Sequence, residues 1–466
     1  MIICDKGFAS IATALFLFSV TLVSTQQFQF TDATTACVGY EAGVNTITIT
    51  CNASFLDVVQ AINDPDILEQ EEEDGQYILK ANLEVRDGVT FEMNSSNGVA
   101  NLQYLKVAGA NAIIVYGKIV INGITITSWD ISNGDVIQQN MNGTIRRGHV
   151  QFAASEGAQI INSEFGYLGD LEPGRRGVDL FGGGGPSHDI EIRGSKFHDM
   201  WMAFYSSGAY NITVDGNEYY NNIKYSLDPH TTTHDMNITN NWIHDNPIGP
   251  ICSDRCSDIL IEGNLIEDTD HAAIFFSRNM TDSIARDNHV INAETGIVLS
   301  ESPNNQVYNN TIEGATEEGI LLTNPELLDD GVTEGNLVYD NAISDSENGI
   351  RATRSHNNIV ENITFSDIES SEYRILADSN LMIRGQQFDN ALISGGGEDM
   401  TTTDTAADTA IENLVEIAGS GIIEVTEEAN DGEDDDDEEA EENSYNTDTQ
   451  PYTTTLGDDD SITVNS

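Results

Sequence analysis

From Val214 onward the chain repeats one arrangement of apolar and polar positions: apolar-x-x-Asn-x-apolar. Val214 to Tyr219 carries Asn217, Ile238 to Ile243 carries Asn241, Ile261 to Ile266 carries Asn264, and Ala285 to Val290 carries Asn288. Val307 to Ile312 carries Asn310, Val338 to Ile343 carries Asn341, and Asn362 closes a weaker copy. The asparagines step by 24, 23, 24, 22, 31 and 21 residues, and the long step contains the insertion Pro325 to Asp330. Eight or nine residues after most of them comes an apolar stretch with a small residue: Gly249, Ala273-Ile274, Gly296-Ile297, Gly319-Ile320, Gly349-Ile350. The apolar pieces are three to five residues long, β-branched and separated by Asn, Gly and Asp. A helical repeat would instead show 3.6-residue periodicity over ten or more residues. Short strands at this spacing predict an all-β chain: the coils of a parallel β-helix, each stacked roughly 4.7–4.9 Å above the last. The repeated Asn is read as structural, tolerating the turn and laddering its amide with the next coil.

Less regular coils extend back through Ile113 to Ile126 and Ile160 to Phe165, so one β-helix domain is expected over residues 90–395. Residues 26–89 form a cap region, in which 53–73, with Phe55, Val58, Val59 and Ile62 at helical spacing, predict an amphipathic helix over the open end. The Gly182–Gly185 run lacks the strand-loop-helix context of a nucleotide site and is a loop.

Charge changes the picture. The 466 residues hold 78 acidic and 19 basic side chains, a formal charge of −59. This excludes a nucleic-acid binder that works by neutralising phosphates. The stretch 396–466 contains 23 acidic residues and no Lys or Arg, and is expected to be a disordered acidic tail. Removing it leaves 55 acidic against 19 basic residues, so the body is acidic too. Residues 1–25, with Lys6, the apolar run Ile11 to Val23 and small residues at Ser24 and Thr25, read as a signal peptide for secretion. No later stretch reaches the ~18 apolar residues of a membrane span. Four cysteines remain: Cys37, Cys51, Cys252 and Cys256, an even count that favours disulfides over a metal site. Cys37 and Cys51 flank a turn between strand-like runs, which suits a hairpin staple. Eight Asn-x-Ser/Thr sequons permit surface glycans, although such Asn residues are equally expected in turns.

Stacking the repeat puts chemistry in one place. Thirteen residues past successive asparagines lie His230, Asp254, Ser277 beside Arg278, and Glu301. Within Tyr225-Ser226-Leu227-Asp228-Pro229-His230, strand alternation places Asp228 and His230 on one face. Tyr225 joins them only if a kink near Pro229 shifts the register. A Tyr and a neutral His form an acid/base pair, and a carboxylate can orient the His tautomer. His271 falls near the row of Tyr225, two coils on. His234, His244 and His289 sit at turns and are read as ordinary surface histidines.

Tyr225-Ser226-Leu227-Asp228-Pro229-His230 resembles the Tyr-Gly-φ-Asp-Pro-His signature of mannuronan (alginate) C5-epimerases, over coils from about Ser187 to Ile368. The resemblance implies a right-handed parallel β-helix in which His230 and Tyr225 exchange the C5 proton from opposite faces of a uronic acid. It also implies that Asp228 supports the site, with Asp254 and His271 at further catalytic positions. Two departures stand out: Asp270 precedes His271 where the family often has Arg, and no basic residue is evident one coil before Tyr225. The cation that neutralises the substrate carboxylate is therefore sought among Arg255, Arg278, Lys224 and Arg176. The expected partner is an anionic uronate polymer, with no cofactor and no dedicated metal site. Calcium remains open as a bridge between two polyanions. Polyuronate lyases share the fold and the first chemical step, and a non-catalytic surface β-helix would also show the bare repeat.

Overall fold

The computed structural model describes residues 37–95, 102–325, 331–376, 379 and 381–384, together with the strands Asn390–Ser394 and Ile422–Thr426. The signal segment 1–25 lies outside the described residues. So does most of the acidic stretch 396–466, from which Ile422–Thr426 pairs in parallel with Asn390–Ser394.

The chain is a right-handed parallel β-helix with three faces. Among the described residues the first face is a sheet of 13 strands running from Ala53–Ser54 to Leu381–Arg384. Its middle is built by His188–Arg193, Tyr210–Asp215, His234–Thr239 and Ser257–Glu262, paired in register. Each coil then turns into a short second-face strand, such as Lys196–His198, Glu218–Tyr220 or Trp242–His244. A third-face strand follows: Met202–Ser207, Tyr225–His230, Ile248–Cys252. In Leu265–Ser277 and His289–Ser300 the second and third faces join in one bent strand.

Inward-facing side chains stack coil on coil. Ile192, Val214, Ile238 and Ile261 form one buried row. Phe165, Phe197 and Tyr219 stack face to face with centroids 5.2 and 5.0 Å apart. Each fully buried Ile or Phe contributes on the order of 2 kcal/mol, which is why short strands suffice once they stack.

The repeated asparagines lie in one internal ladder. From Asn217 through Asn241, Asn264, Asn288 and Asn310, both the backbone N–H and the side-chain amide donate to Oδ1 of the next residue in the ladder, ending on Asn341. Ser163 and Ser195 continue the ladder toward the N-terminus. The copy assigned to Asn362 is corrected: Ala342 pairs with Thr364, so Ile363 occupies the ladder position. Asn362 takes the left-handed turn position just before it, with φ 53°. The small-residue column answers to close backbone approach at a corner: a Cβ on Gly249 would lie 2.0 Å from the Ala273 carbonyl oxygen.

The predicted helix is Phe55–Ile62, shorter than the 53–73 stretch, because the chain turns left-handed at Asn63 and re-forms a strand at Leu68–Gln70. Ser54 caps it in a reciprocal pair with Asp57, and Phe55 and Val58 are buried in the core. Parallel pairing already begins inside the segment read as a cap, where Thr46–Ile49 lies beside Asn82–Val85. Disulfides join Cys37 to Cys51, across the hairpin of Val38–Glu41 and Thr46–Ile49, and Cys252 to Cys256.

Candidate active site

The motif strand Tyr225–His230 sits inside the third face, flanked by Met202–Ser207 and Ile248–Cys252. Leu227 points into the core, so alternation carries Asp228 and His230 to the outer side. Tyr225 also packs outside, in a cluster with Trp201, Tyr205, Ile248, Ile251 and Phe275. Alternation thus breaks between Tyr225 and Leu227, where the coil turns from the second face to the third. The break lies at this corner and not at Pro229, which stays within the strand.

Register corrects the column proposed from spacing. Ser277 pairs with Ser300, and Ser300 with Thr323. Cys252 pairs with Phe276 and the Ser253 N–H bonds the Pro229 carbonyl, so His230 is followed by Ser253, Ser277, Ser300 and Thr323. Asp254, Arg278 and Glu301 lie one residue further on, at the corner. The cause is a one-residue bulge between Thr269 and Ala272 and one extra residue between Tyr220, paired with His244, and Tyr225, paired with Ile248, so coils differ in length before the third face.

One outward row carries Asp179, Tyr205, Asp228 and Ile251 across successive coils. Tyr205 and Asp179 were not singled out from the sequence, although Tyr205 lies one 23-residue coil before Asp228. Arg176 reaches this row from its edge: its guanidinium carbon lies 3.8 Å from the Tyr205 ring centroid, and Nη1 is 3.8 Å from Asp179 Oδ2. Nη1 of Arg176 and Oδ1 of Asp179 are buried without a hydrogen-bond partner. The Tyr205 ring also lies 5.5 Å from that of His230.

This buried, charged row perturbs its members. Asp228, 2% exposed, is pushed up to about 7 by burial, against the Ser253 hydroxyl that donates to Oδ1 at 3.0 Å and the attraction of Arg176. Burial raises Asp179 to about 6, with Arg176 opposing. Tyr205 is raised by burial as well. His230 is pushed down to about 4 by burial and by the field of Arg176, Arg278 and Arg255, and its Nδ1 lies 2.5 Å from Thr231 Oγ1. A neutral imidazole at physiological pH is a ready base.

The other predicted residues surround this centre. Lys224 Nζ lies 5.5 Å from the Tyr225 ring centroid. Asp254 pairs with Arg255 at 2.7 Å, and Arg255 is 62% exposed against 14% for Arg176. Arg255 and Arg278 occupy left-handed corner positions joined by a backbone hydrogen bond of 2.7 Å. His271 N–H bonds the Pro247 carbonyl, which puts His271 two coils beyond Tyr225, and its Nδ1 lies 2.8 Å from Glu294. Among the described residues, Glu156, His188 and Asp189 bring metal-ligand atoms within 4.8 Å of one another, in a group separate from these residues and largely exposed.

Comparison with known proteins agrees with this architecture. A family model described as a right-handed β-helix region matches residues 176–326. A mannuronan C5-epimerase of Pseudomonas putida is 24% identical over 265 residues, covering 54% of this chain and 50% of the relative. That of Pseudomonas syringae pv. tomato is 24% identical over 249 residues, covering 51% and 46%. The chain therefore spans about half the length of the curated relatives it matches. Among solved structures, the periplasmic alginate epimerase AlgG superposes with a TM-score of 0.55 at 18% identity, covering 82% of this chain and 85% of that one. The chain is thus a right-handed parallel β-helix similar to the mannuronan C5-epimerases.

Proposed function

We propose that this chain is a polyuronate C5-epimerase acting on a mannuronan-like polymer outside the reducing cytosol. The observation that carries the reading is the buried outward row: a neutral His230 beside Asp228 and Tyr205, with the guanidinium of Arg176 laid over that row. The hydrogen on C5 of a uronate is weakly acidic, and its carbanion forms only where the adjacent carboxylate is neutralised. Arg176 suits that task better than Arg255, because it is half-buried, its Nη1 lacks a hydrogen-bond partner and its ion pair to Asp179 is long at 3.8 Å, whereas Arg255 is exposed and held by Asp254 at 2.7 Å. Asp228, held protonated to near neutrality, adds a hydrogen-bond donor to the same carboxylate. His230 takes the C5 proton, and the Tyr225 phenol supplies one from the opposite face. Relay through solvent then returns each group to its starting state, and the sugar leaves inverted at C5. Secretion is supported by the two disulfides and by the leader-like residues 1–25. Among the described residues no helix is long and apolar enough to cross a membrane.

The test is incubation with polymannuronate in D₂O followed by NMR. Deuterium at C5 with inverted configuration is the expected result. His230→Ala should lower turnover by roughly 10²–10⁴-fold, and Tyr225→Phe should act similarly with an unchanged melt. An unsaturated sugar end in place of C5 deuterium would assign the same site to β-elimination. Full activity in a folded Tyr225→Phe/His230→Ala variant would sink the assignment of both residues.

A further inference from the structure

The strand Ile248–Cys252 ends one residue before the row of Ser253, Ser277 and Ser300, at the corner where the coil turns toward the first face. On this coil the corner is closed by the Cys252–Cys256 disulfide. Both cysteines are buried in the internal core, 2% and 0% exposed, and Cys256 Sγ lies 3.4 Å from the carbonyl oxygen of Pro229. The disulfide is therefore anchored beneath the Asp228-Pro229-His230 strand. The three residues it encloses all engage groups around the site. Ser253 Oγ donates to Asp228 Oδ1 at 3.0 Å. The Asp254 carbonyl accepts the Thr232 N–H at 3.1 Å, and its carboxylate holds Arg255 at 2.7 Å. Arg255 sits at φ 48°, the left-handed corner conformation that Arg278 and Glu301 also take on the next two coils.

A crosslink only four residues apart closes a short loop, and loop closure of that size restrains the unfolded chain little. Its effect is local: it fixes the conformation of the turn. We propose that the Cys252–Cys256 disulfide is a positioning element of the site, clamping the 253–255 turn so that Ser253 stays on Asp228 and the Asp254–Arg255 pair stays beside the Asp228-Pro229-His230 strand. With the clamp open, Ser253 is free to leave Asp228. A carboxylate that loses a donor holds its proton more tightly, in a setting that also includes Arg176, Asp179, Lys224 and Tyr205.

The part of this inference that concerns turnover rests on the epimerase reading; the part that concerns Asp228 does not. The experiment compares wild type with the Cys252→Ala/Cys256→Ala variant by three measurements: thermal melting, kcat and KM for C5 deuterium exchange, and the titration of Asp228 by carbon-13 NMR of labelled aspartate. The variant should melt cooperatively, lose about tenfold in kcat with KM changed less than about threefold, and titrate Asp228 at least half a pH above wild type. Ser253→Ala, with the disulfide intact, should move the Asp228 titration in the same direction, and Ser253→Thr should restore it. An unmoved Asp228 titration in the double variant overturns the proposal, as does a variant that cannot fold, since the disulfide would then hold the coil and not the site. Wild type that exchanges no C5 hydrogen on any uronate defeats the epimerase reading alone, and the titration still decides the positioning role.

Discussion

At the scale of single residues, burial sets the protonation of the candidate site. His230 and Asp228 stand two residues apart on one strand and are driven in opposite senses, the base toward permanent neutrality and the acid toward holding its proton. In the proposed reaction the base must be unprotonated, so activity should rise with pH through about 4. The carboxyl must keep its proton to assist the substrate carboxylate, so activity should fall as pH rises through about 7. We expect a bell-shaped kcat/KM profile of the free enzyme with limbs near those values. Asp228→Asn, which cannot ionise, should flatten the alkaline limb. An alkaline limb unchanged by that substitution would remove Asp228 from the protonation requirement. The pairing of His230 with Asp228 was legible from strand alternation alone. Tyr205 and Asp179 were open to the same coil arithmetic carried back toward the N-terminus. Arg176 was one of four candidate cations, but no spacing ranked it above Arg255, Arg278 and Lys224, because it reaches the row from an irregular edge that no repeat describes.

At the scale of the coil, the asparagine ladder links second-face turns through hydrogen bonds that water cannot replace. Asn264 shows its weight. Its amide donates to the Ile238 carbonyl and to Asn288, while its Oδ1 accepts the backbone and side-chain N–H groups of Asn241. Asn264→Ala orphans several buried groups at once and should cost roughly 3–5 kcal/mol in denaturant unfolding. Asn362→Ala lies outside the ladder and should cost under about 1 kcal/mol. Equal costs for the two would mean that the ladder does not bind the coils. The ladder was readable because its period is written in one residue type. Register on the third face was not, because one extra residue before Tyr225 and another near Asp270-His271 shift the third-face row by one against the asparagines while the ladder stays in register. Periodicity counts residues per coil; it cannot say at which corner an extra one is spent.

At the scale of the whole molecule, the proposed substrate and this chain repel each other. The chain carries −59, and several of its cations are already engaged with carboxylates, as in Arg193 with Glu191 and Asp215, Lys196 with Glu218, and Arg286 with Glu262. A uronate polymer approaching the third face meets this field before it meets Arg176. The field reaches about 30 Å at 0.01 M ionic strength but only about 8 Å at 0.15 M, whereas the contact proposed at the half-buried Arg176 would be screened less. KM for a polyuronate should therefore fall as salt rises from 0.01 to 0.15 M, with kcat nearly constant. That is the reverse of an enzyme that draws polyanions in with a basic surface. Deleting residues 427–466 removes 16 acidic and no basic side chains, and keeps the strand Ile422–Thr426. The truncated chain should show a weaker salt dependence of KM and match the full chain at 0.5 M salt. A KM that rises with salt in both chains would show that local cations dominate the approach and that the acidity of the body plays no part in substrate capture.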